Sequence, residues 1–347
     1  MNLSNKHHYN NFNLLRLFAA LQVVYIHSLE HLEITNSALL YLGEILRYFP
    51  GVPIFFMISG YLITMSYENN PTISDYIKNR ILRIYPGLYV SFLISASILY
   101  VFNQFDHVSF NSIFMWTCAQ LTFVQFYNPE FIRDFGVGVI NGSLWTISVE
   151  LAFYIVLPIV YIFLKKNFIK RFTILMLISL SFYFYIQNIS TKTLLYEKLI
   201  GVSILPYLFY FLIGMYVFQF RSKVFKYIED KFYIYFIIYI GIILLSTDNY
   251  LYFFLQQFGY ALFVFSLVFS FKNFTYKFMG YNDFTYGIYI YHMLIINILV
   301  HLNYIGAVEN ILWVLLGSIV CGVLSYKLVE KPFLKLKKKS LYYEISK

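Results

Sequence analysis

Ionisable side chains inside apolar runs are the first candidates for chemistry in this sequence. Such a group is costly in a membrane-spanning helix unless it faces a polar cavity or a partner, so each marks a candidate functional position. An imidazole exchanges a proton near neutral pH, and a buried carboxylate must pair or become neutral. The residues concerned are Arg16, His27, Glu150, His292 and, near a helix end, His301.

Arg16 and His27 are expected to share one face of a helix. Eleven residues separate them, which places them about 20° apart around the axis and about 16 Å apart along it. That spacing suits a long ligand that is charged at one end and reactive at the other. A structural histidine and an arginine that reaches the membrane surface are the alternatives. Glu150 is expected to pair with His27 or His292, or to serve as a polar contact between helices.

Arg80 and Arg83 form a second candidate site. They are one helical turn apart and share a face, as two guanidiniums that bind a phosphate would. Thr72 and Asp75 resemble a capping box, which predicts a short interfacial helix, and Pro86 predicts that a new span begins beside the arginines. The alternative is a purely topological role, which lysine would serve equally well. Because the chain has 19 lysines and only 7 arginines, three arginines at these two sites favour a phosphate ligand.

The composition places these residues in a membrane. Of 347 residues, 60% are hydrophobic and 12% charged, against roughly 25% charged in soluble domains. A soluble enzyme, a disordered chain and a disulfide scaffold are excluded. The net charge of +9 comes from short loops and the tail Lys335–Lys339, where it favours cytoplasmic topology and lipid contact over nucleic acid.

Hydropathy predicts about ten spanning helices in a single all-α membrane domain covering residues 1–347, with no C-terminal soluble domain. If residues 111–127 do not cross the membrane, the basic loops fall on one side, as the positive-inside rule requires, and both termini are predicted to be cytoplasmic. Residues 111–127 are then a re-entrant or interfacial helix. The predicted spans are 14–33, 51–67, 85–103, 142–164, 172–188, 200–220, 232–247, 250–271, 284–303 and 308–328.

Two further patterns have structural interpretations. Gly51–Gly60 begins a span with small residues suited to close helix packing, and Ser59 within it is better explained by packing than by nucleophilic chemistry. His27–His31 spells the H-x-x-E-H of a zinc peptidase. Because the pattern leaves a membrane helix and no downstream acidic ligand motif follows, we expect no metal site.

Six stretches in order along the chain resemble the membrane acyltransferase-3 family, whose members O-acetylate bacterial surface polysaccharides and related glycans. Any one of them is weak evidence, whereas all six in family order are specific. They are Leu15–Ala20 with His27, Phe55–Ile63, Arg80–Pro86, Leu144–Glu150, Tyr286–His292 and Glu330–Pro332.

The resemblance implies about ten helices, an acyl-CoA donor on the cytoplasmic side and a carbohydrate acceptor. The family's Arg-x10-His pair corresponds to Arg16 and His27, and its Arg-x-x-Arg pair to Arg80 and Arg83. The family often has a second acidic residue where this chain has Leu151, so a role shared between two carboxylates is not expected here.

The sequence therefore predicts transfer of an acyl group, expected to be acetyl from acetyl-CoA, to a hydroxyl of a surface glycan or lipid-linked sugar. The expected location is the bacterial cytoplasmic membrane, with lipid as a further partner. A glycan transporter or flippase and a non-catalytic scaffold are the alternatives. The catalytic candidates are His27, Glu150 and His292, and the acyl-CoA-binding candidates are Arg16, Arg80, Arg83, Trp145 and Ser148.

Overall fold

The computed structural model describes residues 11–70, 72–189, 194–245, 250–271, 275 and 282–337. The described residues are helical with connecting turns, and none of them lies in a strand. Parts of two predicted basic segments, the loop Lys272–Lys277 apart from Thr275 and the tail residues Lys338 and Lys339, lie outside the described residues.

The helices follow the predicted apolar runs closely. Short 3₁₀ turns cover Glu130–Ile132 and Gly142–Leu144, and a π-helix covers Tyr326–Glu330. The α-helices are α1 (Phe12–His31), α2 (Ser37–Arg47), α3 (Gly51–Asn69), α4 (Ile73–Val101), α5 (Phe110–Leu121), α6 (Trp145–Lys165), α7 (Phe168–Asn188), α8 (Leu195–Gly201), α9 (Leu208–Gln219), α10 (Arg221–Ile228), α11 (Phe232–Leu244), α12 (Tyr250–Val268), α13 (Thr285–His301), α14 (Glu309–Ser325) and α15 (Lys331–Leu334).

The prediction of a polytopic membrane helix bundle is confirmed. In the described part of the chain, seven helical stretches are long and apolar enough to cross a membrane. Three further predicted spans correspond to the shorter apolar helices α9, α11 and α13. Each of the ten predicted ranges thus overlaps one apolar helix. The segment predicted not to cross contains α5, which is only 12 residues long, well short of the roughly 20 needed to span.

The expected break between Arg83 and Pro86 is wrong, because α4 is one continuous helix of 29 residues with Pro86 inside it. Its start is as predicted: the Thr72 hydroxyl accepts a hydrogen bond from the Asp75 backbone N–H at 3.1 Å. Proline is tolerated within a membrane helix where neighbouring groups support the backbone. Here the Tyr286 ring packs against Gly87, and its hydroxyl donates to the Ile84 carbonyl at 3.0 Å. The helix N-terminus predicted at Pro86 is therefore not present beside the arginines.

Close backbone contact between α3 and α9 forms the centre of the bundle. A Cβ on Gly60 would lie 2.1 Å from the Phe211 carbonyl oxygen, and one on Gly214 would lie 2.1 Å from the Met57 carbonyl oxygen. Small residues permit such contact between membrane helices, where dispersion and packing drive association. The predicted packing role of the Gly51–Gly60 segment is thus explained by α9.

We expect Gly60→Ala to lower the thermal stability of the protein, because the new methyl group must push two helix backbones apart. Overpacking of this kind costs about 1–3 kcal/mol. Gly241→Ala in α11 is the matched control, since a Cβ there meets no atom within 4 Å. Thermal unfolding in detergent or nanodiscs measures both variants, and equal melting temperatures would contradict the packing role.

Candidate active site

Helix α1 carries two of the predicted site residues on a face that points into the bundle. It packs against α3, α13 and α14. Arg16 is 8% exposed, and His27 is half-buried one turn before the helix ends at His31. Gly51 allows α3 to approach α1 closely, since a Cβ on Gly51 would lie 2.3 Å from the Ala19 carbonyl oxygen. The shared face predicted from the eleven-residue spacing is the one that α3 and α13 cover.

His27 and His292 form a direct pair. His27 Nδ1 lies 2.9 Å from His292 Nε2, and the rings stack with centroids 5.2 Å apart. His292 is fully buried, and its Nδ1 lies 2.6 Å from the Tyr289 carbonyl oxygen. Glu150 makes no hydrogen bond to either histidine. The structure therefore pairs the two histidines with each other and not with Glu150.

The contacts of this pair assign its tautomers. A carbonyl oxygen only accepts, so His292 carries its proton on Nδ1 and presents the lone pair of Nε2 to His27. His27 must then donate from Nδ1, which leaves its own Nε2 unprotonated. Hydrogen bonding by the other ring nitrogen commonly fixes a histidine in this way. The arrangement makes His27 Nε2 available as a base.

Polar contacts fix α13 beside the histidine pair. The Asn141 amide donates to the Ile290 carbonyl at 2.7 Å, and the Tyr289 hydroxyl lies 2.9 Å from the Thr146 hydroxyl. Phe55 of α3 contacts the Tyr289 ring edge-to-face, with centroids 5.3 Å apart. The backbone turn that orients His292 is thereby held from two sides.

Arg16, Arg80 and Arg83 make up a group that we call the cation cluster. Arg16 Nη1 and Arg83 Nη2 each lie 2.9 Å from the same oxygen, Asp283 Oδ2. The other oxygen of Asp283 accepts from the Thr285 hydroxyl at 2.5 Å. Burial alone would raise the pKa of the Asp283 carboxyl, but Arg16 and Arg83 outweigh it and hold that pKa below its usual value.

Sequence reasoning missed Asp283. The available signal was an acidic residue two positions before Thr285, at the start of an apolar run whose preceding loop is basic.

Arg80 differs from the other two members of the cluster. It donates to the Ser66 hydroxyl at 3.0 Å and lies over the Tyr154 ring, 5.6 Å from its centroid. Its buried Nε has no hydrogen-bond partner among the described residues. No described carboxylate lies within ion-pair distance of it. Arg80 is therefore a cation available to a ligand.

The cation cluster lines a cavity of about 310 Å³, here called the large cavity. A second cavity of about 50 Å³, the narrow cavity, shares Arg16, Ser59, Arg83 and Glu150 with it and continues to Phe55, Thr146 and Tyr289. Ser66, Asn69, Asn70, Asn79 and Tyr154 complete the polar lining of the large cavity. His27 lines neither cavity. The Phe55 and Tyr289 rings line the narrow cavity, and the Tyr289 ring also lies next to the histidine pair, with its centroid 5.8 Å from that of His292.

Glu150 belongs to the two cavities rather than to the histidine pair. Its Oε1 accepts from the Tyr154 hydroxyl at 2.6 Å and from the Ser59 hydroxyl at 3.2 Å. The contact also occupies Ser59, consistent with a packing role for that residue.

Trp145 and Ser148 line neither cavity. The Trp145 ring packs against Tyr207, with centroids 5.1 Å apart, and the Ser148 hydroxyl donates to Gln125 Oε1 at 2.6 Å. The structure thus brings Arg16, Arg80, Arg83 and Glu150 together around one space and pairs His27 with His292. It does not bring Trp145 or Ser148 to either group.

Two comparisons with known proteins place the chain among acyltransferases. Residues 9–329 match the model of the acyltransferase-3 family, described as an acyltransferase domain. Nodulation protein 10 of Rhizobium leguminosarum bv. viciae is 28% identical over 364 aligned residues, which cover 97% of each chain. No solved structure matches this chain.

We expect Asp283→Asn to destabilise the protein strongly, because the guanidiniums of Arg16 and Arg83, whose side chains are 10% and 28% exposed, would lose their shared counter-ion. Breaking a buried ion pair on one side costs about 3–5 kcal/mol. Glu30→Gln is the control, since the Glu30–Arg47 pair is exposed and such pairs contribute about 0–1 kcal/mol.

Thermal unfolding across pH tests the charge on Asp283. Its lowered pKa means that its contribution is present above the unfolded value of about 3.9. The difference between the wild type and Asp283→Asn should therefore stay constant from about pH 5 to 8 and shrink as the pH falls further. A difference that is absent at neutral pH would contradict the ion-pair role.

Proposed function

Because the chain belongs to the membrane acyltransferase-3 family, we propose that it transfers an acetyl group from acetyl-CoA to a hydroxyl of a cell-surface carbohydrate. The matches over nearly the whole chain confirm the resemblance found in its motifs. The proposed acceptor is a glycan or lipid-linked sugar. The proposed location is a bacterial cytoplasmic membrane, with the cation cluster at the cytoplasmic side, where acetyl-CoA is available.

The observation that carries the proposal is the placement of two chemically different centres at the two ends of α1. Arg16 belongs to a cation-lined cavity, and His27 belongs to a histidine pair with one free ring nitrogen. The donor also has a charged end and an uncharged end. Its phosphates cannot enter hydrocarbon, whereas its neutral pantetheine arm can enter a narrow passage between helices. Arg80 and Arg83 would hold the phosphates, and the arm would follow the narrow cavity past Arg16 and Glu150.

The proposed reaction begins at His27 Nε2. This nitrogen removes the proton from the acceptor hydroxyl as the hydroxyl oxygen attacks the thioester carbonyl carbon. The C–S bond then breaks, and the proton passes from His27 to the departing sulfur. His292 acts as a positioning residue, since its Nε2 holds His27 in the tautomer whose Nε2 is unprotonated.

The passage between the two centres must open during turnover. Phe55 and Tyr289 are in contact at the end of the narrow cavity, so the thioester reaches His27 only if these rings separate. Side-chain rotation and lid motions of this kind occur well within the time of enzymatic turnover. The ring contact would also keep water from the donor while the acceptor is absent.

We expect His27→Ala to abolish acetyl transfer and His292→Leu to lower kcat about 100- to 10,000-fold, the range of a general base's contribution. His292→Gln should recover part of the loss, because its amide oxygen can accept from His27 Nδ1. KM for acetyl-CoA should stay unchanged in the two His292 variants. The assay is release of free CoA from acetyl-CoA by purified protein, together with mass spectrometry of surface glycans.

His301→Gln is the control for these variants, since His301 lies on the same helix but packs against Phe102 and Phe135. Full activity in His27→Ala would refute the assignment of the base. Equal loss in His292→Gln and His292→Leu would refute the positioning role of His292.

We expect Arg80→Ala to raise KM for acetyl-CoA about tenfold with kcat unchanged, because a charge-assisted hydrogen bond to phosphate contributes about 1.5–3 kcal/mol. Arg80 is the cleanest of the three cations to remove, since it shares no ion pair with Asp283. Arg80→Lys should restore little, because lysine lacks the planar fork. Lys78→Ala, at an exposed position of the same helix, is the control. A KM equal to that of the control would refute the phosphate site.

A further inference from the structure

A chain of hydrogen bonds joins the end of α3 to the first turns of α4 along the wall of the large cavity. The Ser66 hydroxyl accepts from Arg80 Nη2 and from Asn70 Nδ2, both at 3.0 Å. The side-chain oxygen of Asn70 in turn accepts from Asn79 Nδ2 at 2.8 Å. All four residues line the large cavity. The chain therefore begins at one arginine of the cation cluster and ends at an uncharged amide.

The hydrogen bonds also fix the orientation of both amides. Asn70 Nδ2 donates to the Ser66 backbone carbonyl as well, and a carbonyl oxygen only accepts, so the nitrogen of the Asn70 amide must lie on that side. The oxygen of Asn70 then faces Asn79, which must present its own nitrogen. The side-chain oxygen of Asn79 is thereby left over. It is buried and has no hydrogen-bond partner in the part of the chain that the structure describes.

An unpaired acceptor in this position requires a donor from a ligand. A buried polar atom without a partner is unfavourable, and most such atoms are paired. Asn79 is 7% exposed, and the large cavity is a space that it borders. A phosphate cannot pair with the Asn79 oxygen, because phosphate oxygens are acceptors. The ligand of this cavity must therefore carry an N–H or O–H group as well as negative charge.

Asn79 lies in the part of the large cavity that the narrow cavity does not share. Arg83 and Glu150 line both cavities, whereas Asn79 and Arg80 line only the large one. In the proposed function, the pantetheine arm follows the narrow cavity and the phosphates bind beside Arg80. The part of CoA on the other side of its phosphates is the adenosine, whose base carries an amino group.

We propose that Asn79 recognises the adenine of the acyl donor, with its side-chain oxygen accepting a hydrogen bond from the exocyclic amino group. The inference rests on the proposed function, because it takes the donor to be a CoA thioester. It makes Asn79 a specificity-determining residue that distinguishes adenine from a base with a carbonyl oxygen in place of the amino group. Two acceptors that face each other would both stay unpaired, and a site built for a donor rejects such an analogue.

The experiment measures equilibrium binding of adenosine 3′,5′-bisphosphate and inosine 3′,5′-bisphosphate to the full-length protein. The two compounds have the same ribose and phosphates, and inosine has a carbonyl oxygen where adenosine has its amino group. The wild type should bind the adenosine compound about tenfold more tightly. Asn79→Leu should abolish this preference, because it removes the acceptor. Asn69→Leu, which changes another asparagine of the same cavity, is the matched control and should keep the preference.

Two results would overturn the assignment of Asn79: equal affinity of the wild type for the two compounds, or a preference in Asn79→Leu equal to that of Asn69→Leu. The first result needs no variant, so it tests the proposal even if Asn79→Leu does not fold. A third compound, 2′-deoxyadenosine 3′,5′-bisphosphate, separates the base from the ribose. A loss of affinity for it that depends on Asn79 would assign the oxygen to the ribose hydroxyl and overturn the adenine contact.

The same measurements distinguish this inference from the proposed function. Acetyl transfer by a wild type that shows no preference between the two bases would overturn the role of Asn79 and leave the acyltransferase reaction intact. Conversely, a preference that depends on Asn79, in a protein that neither hydrolyses acetyl-CoA nor transfers its acetyl group, would retain the adenine site and refute the reaction.

Discussion

Arg16 and Arg83 donate to one oxygen of Asp283, and the three residues come from α1, α4 and the turn before α13. Two guanidiniums removed from water repel each other and lose hydration, so they stay close only when a carboxylate lies between them. The shared carboxylate therefore fixes three segments at one point. The walls of the large cavity and the start of the helix that carries His292 both depend on this junction.

The same two segments meet again at the other end of the site. α1 contributes Arg16 and His27, while α13 and the turn before it contribute Asp283 and His292. Arg16 contacts Asp283, and His27 contacts His292. Both contacts run in the same chain direction, so α1 and α13 are parallel. Two polar contacts at separate points fix how one helix slides and rotates against the other. The distance between the cation cluster and the histidine pair is thus set by the protein and not by a ligand.

Much of this arrangement could be predicted from the sequence, because its determinants are local. Apolar runs of spanning length, the eleven-residue spacing of Arg16 and His27, and the one-turn spacing of Arg80 and Arg83 follow from helix geometry alone. The parallel orientation of α1 and α13 is also consistent with the predicted order of spans, which places an even number of crossings between their starts.

Contacts between segments that are distant in sequence could not be predicted from local helix geometry. Asp283 is one carboxylate among 17 acidic residues, and only the packed helices show that two arginines converge on it. The sequence allowed several partners for Glu150, and in the structure its carboxyl oxygen accepts hydrogen bonds from Ser59 and Tyr154. The continuity of α4 through Pro86 was missed for a similar reason, since the support comes from Tyr286, which is 202 residues away in sequence from the Ile84 carbonyl that it contacts. Local rules describe each helix, whereas the site is made between helices.

Glu150 is the acidic residue that both cavities share, together with Arg16 and Arg83, whereas Arg80 lines only the large cavity. In the proposed reaction, the phosphates bind best beside Arg80 in the large cavity, because an ionised Glu150 carboxylate repels them from the narrow cavity. The neutral pantetheine arm carries no charge and meets no such barrier. Its amide N–H groups can instead donate to the carboxylate as it passes. A single acidic residue can thereby limit how deeply the donor enters, so that the anionic head stays among the arginines while the thioester advances toward the Phe55–Tyr289 contact and the histidine beyond it.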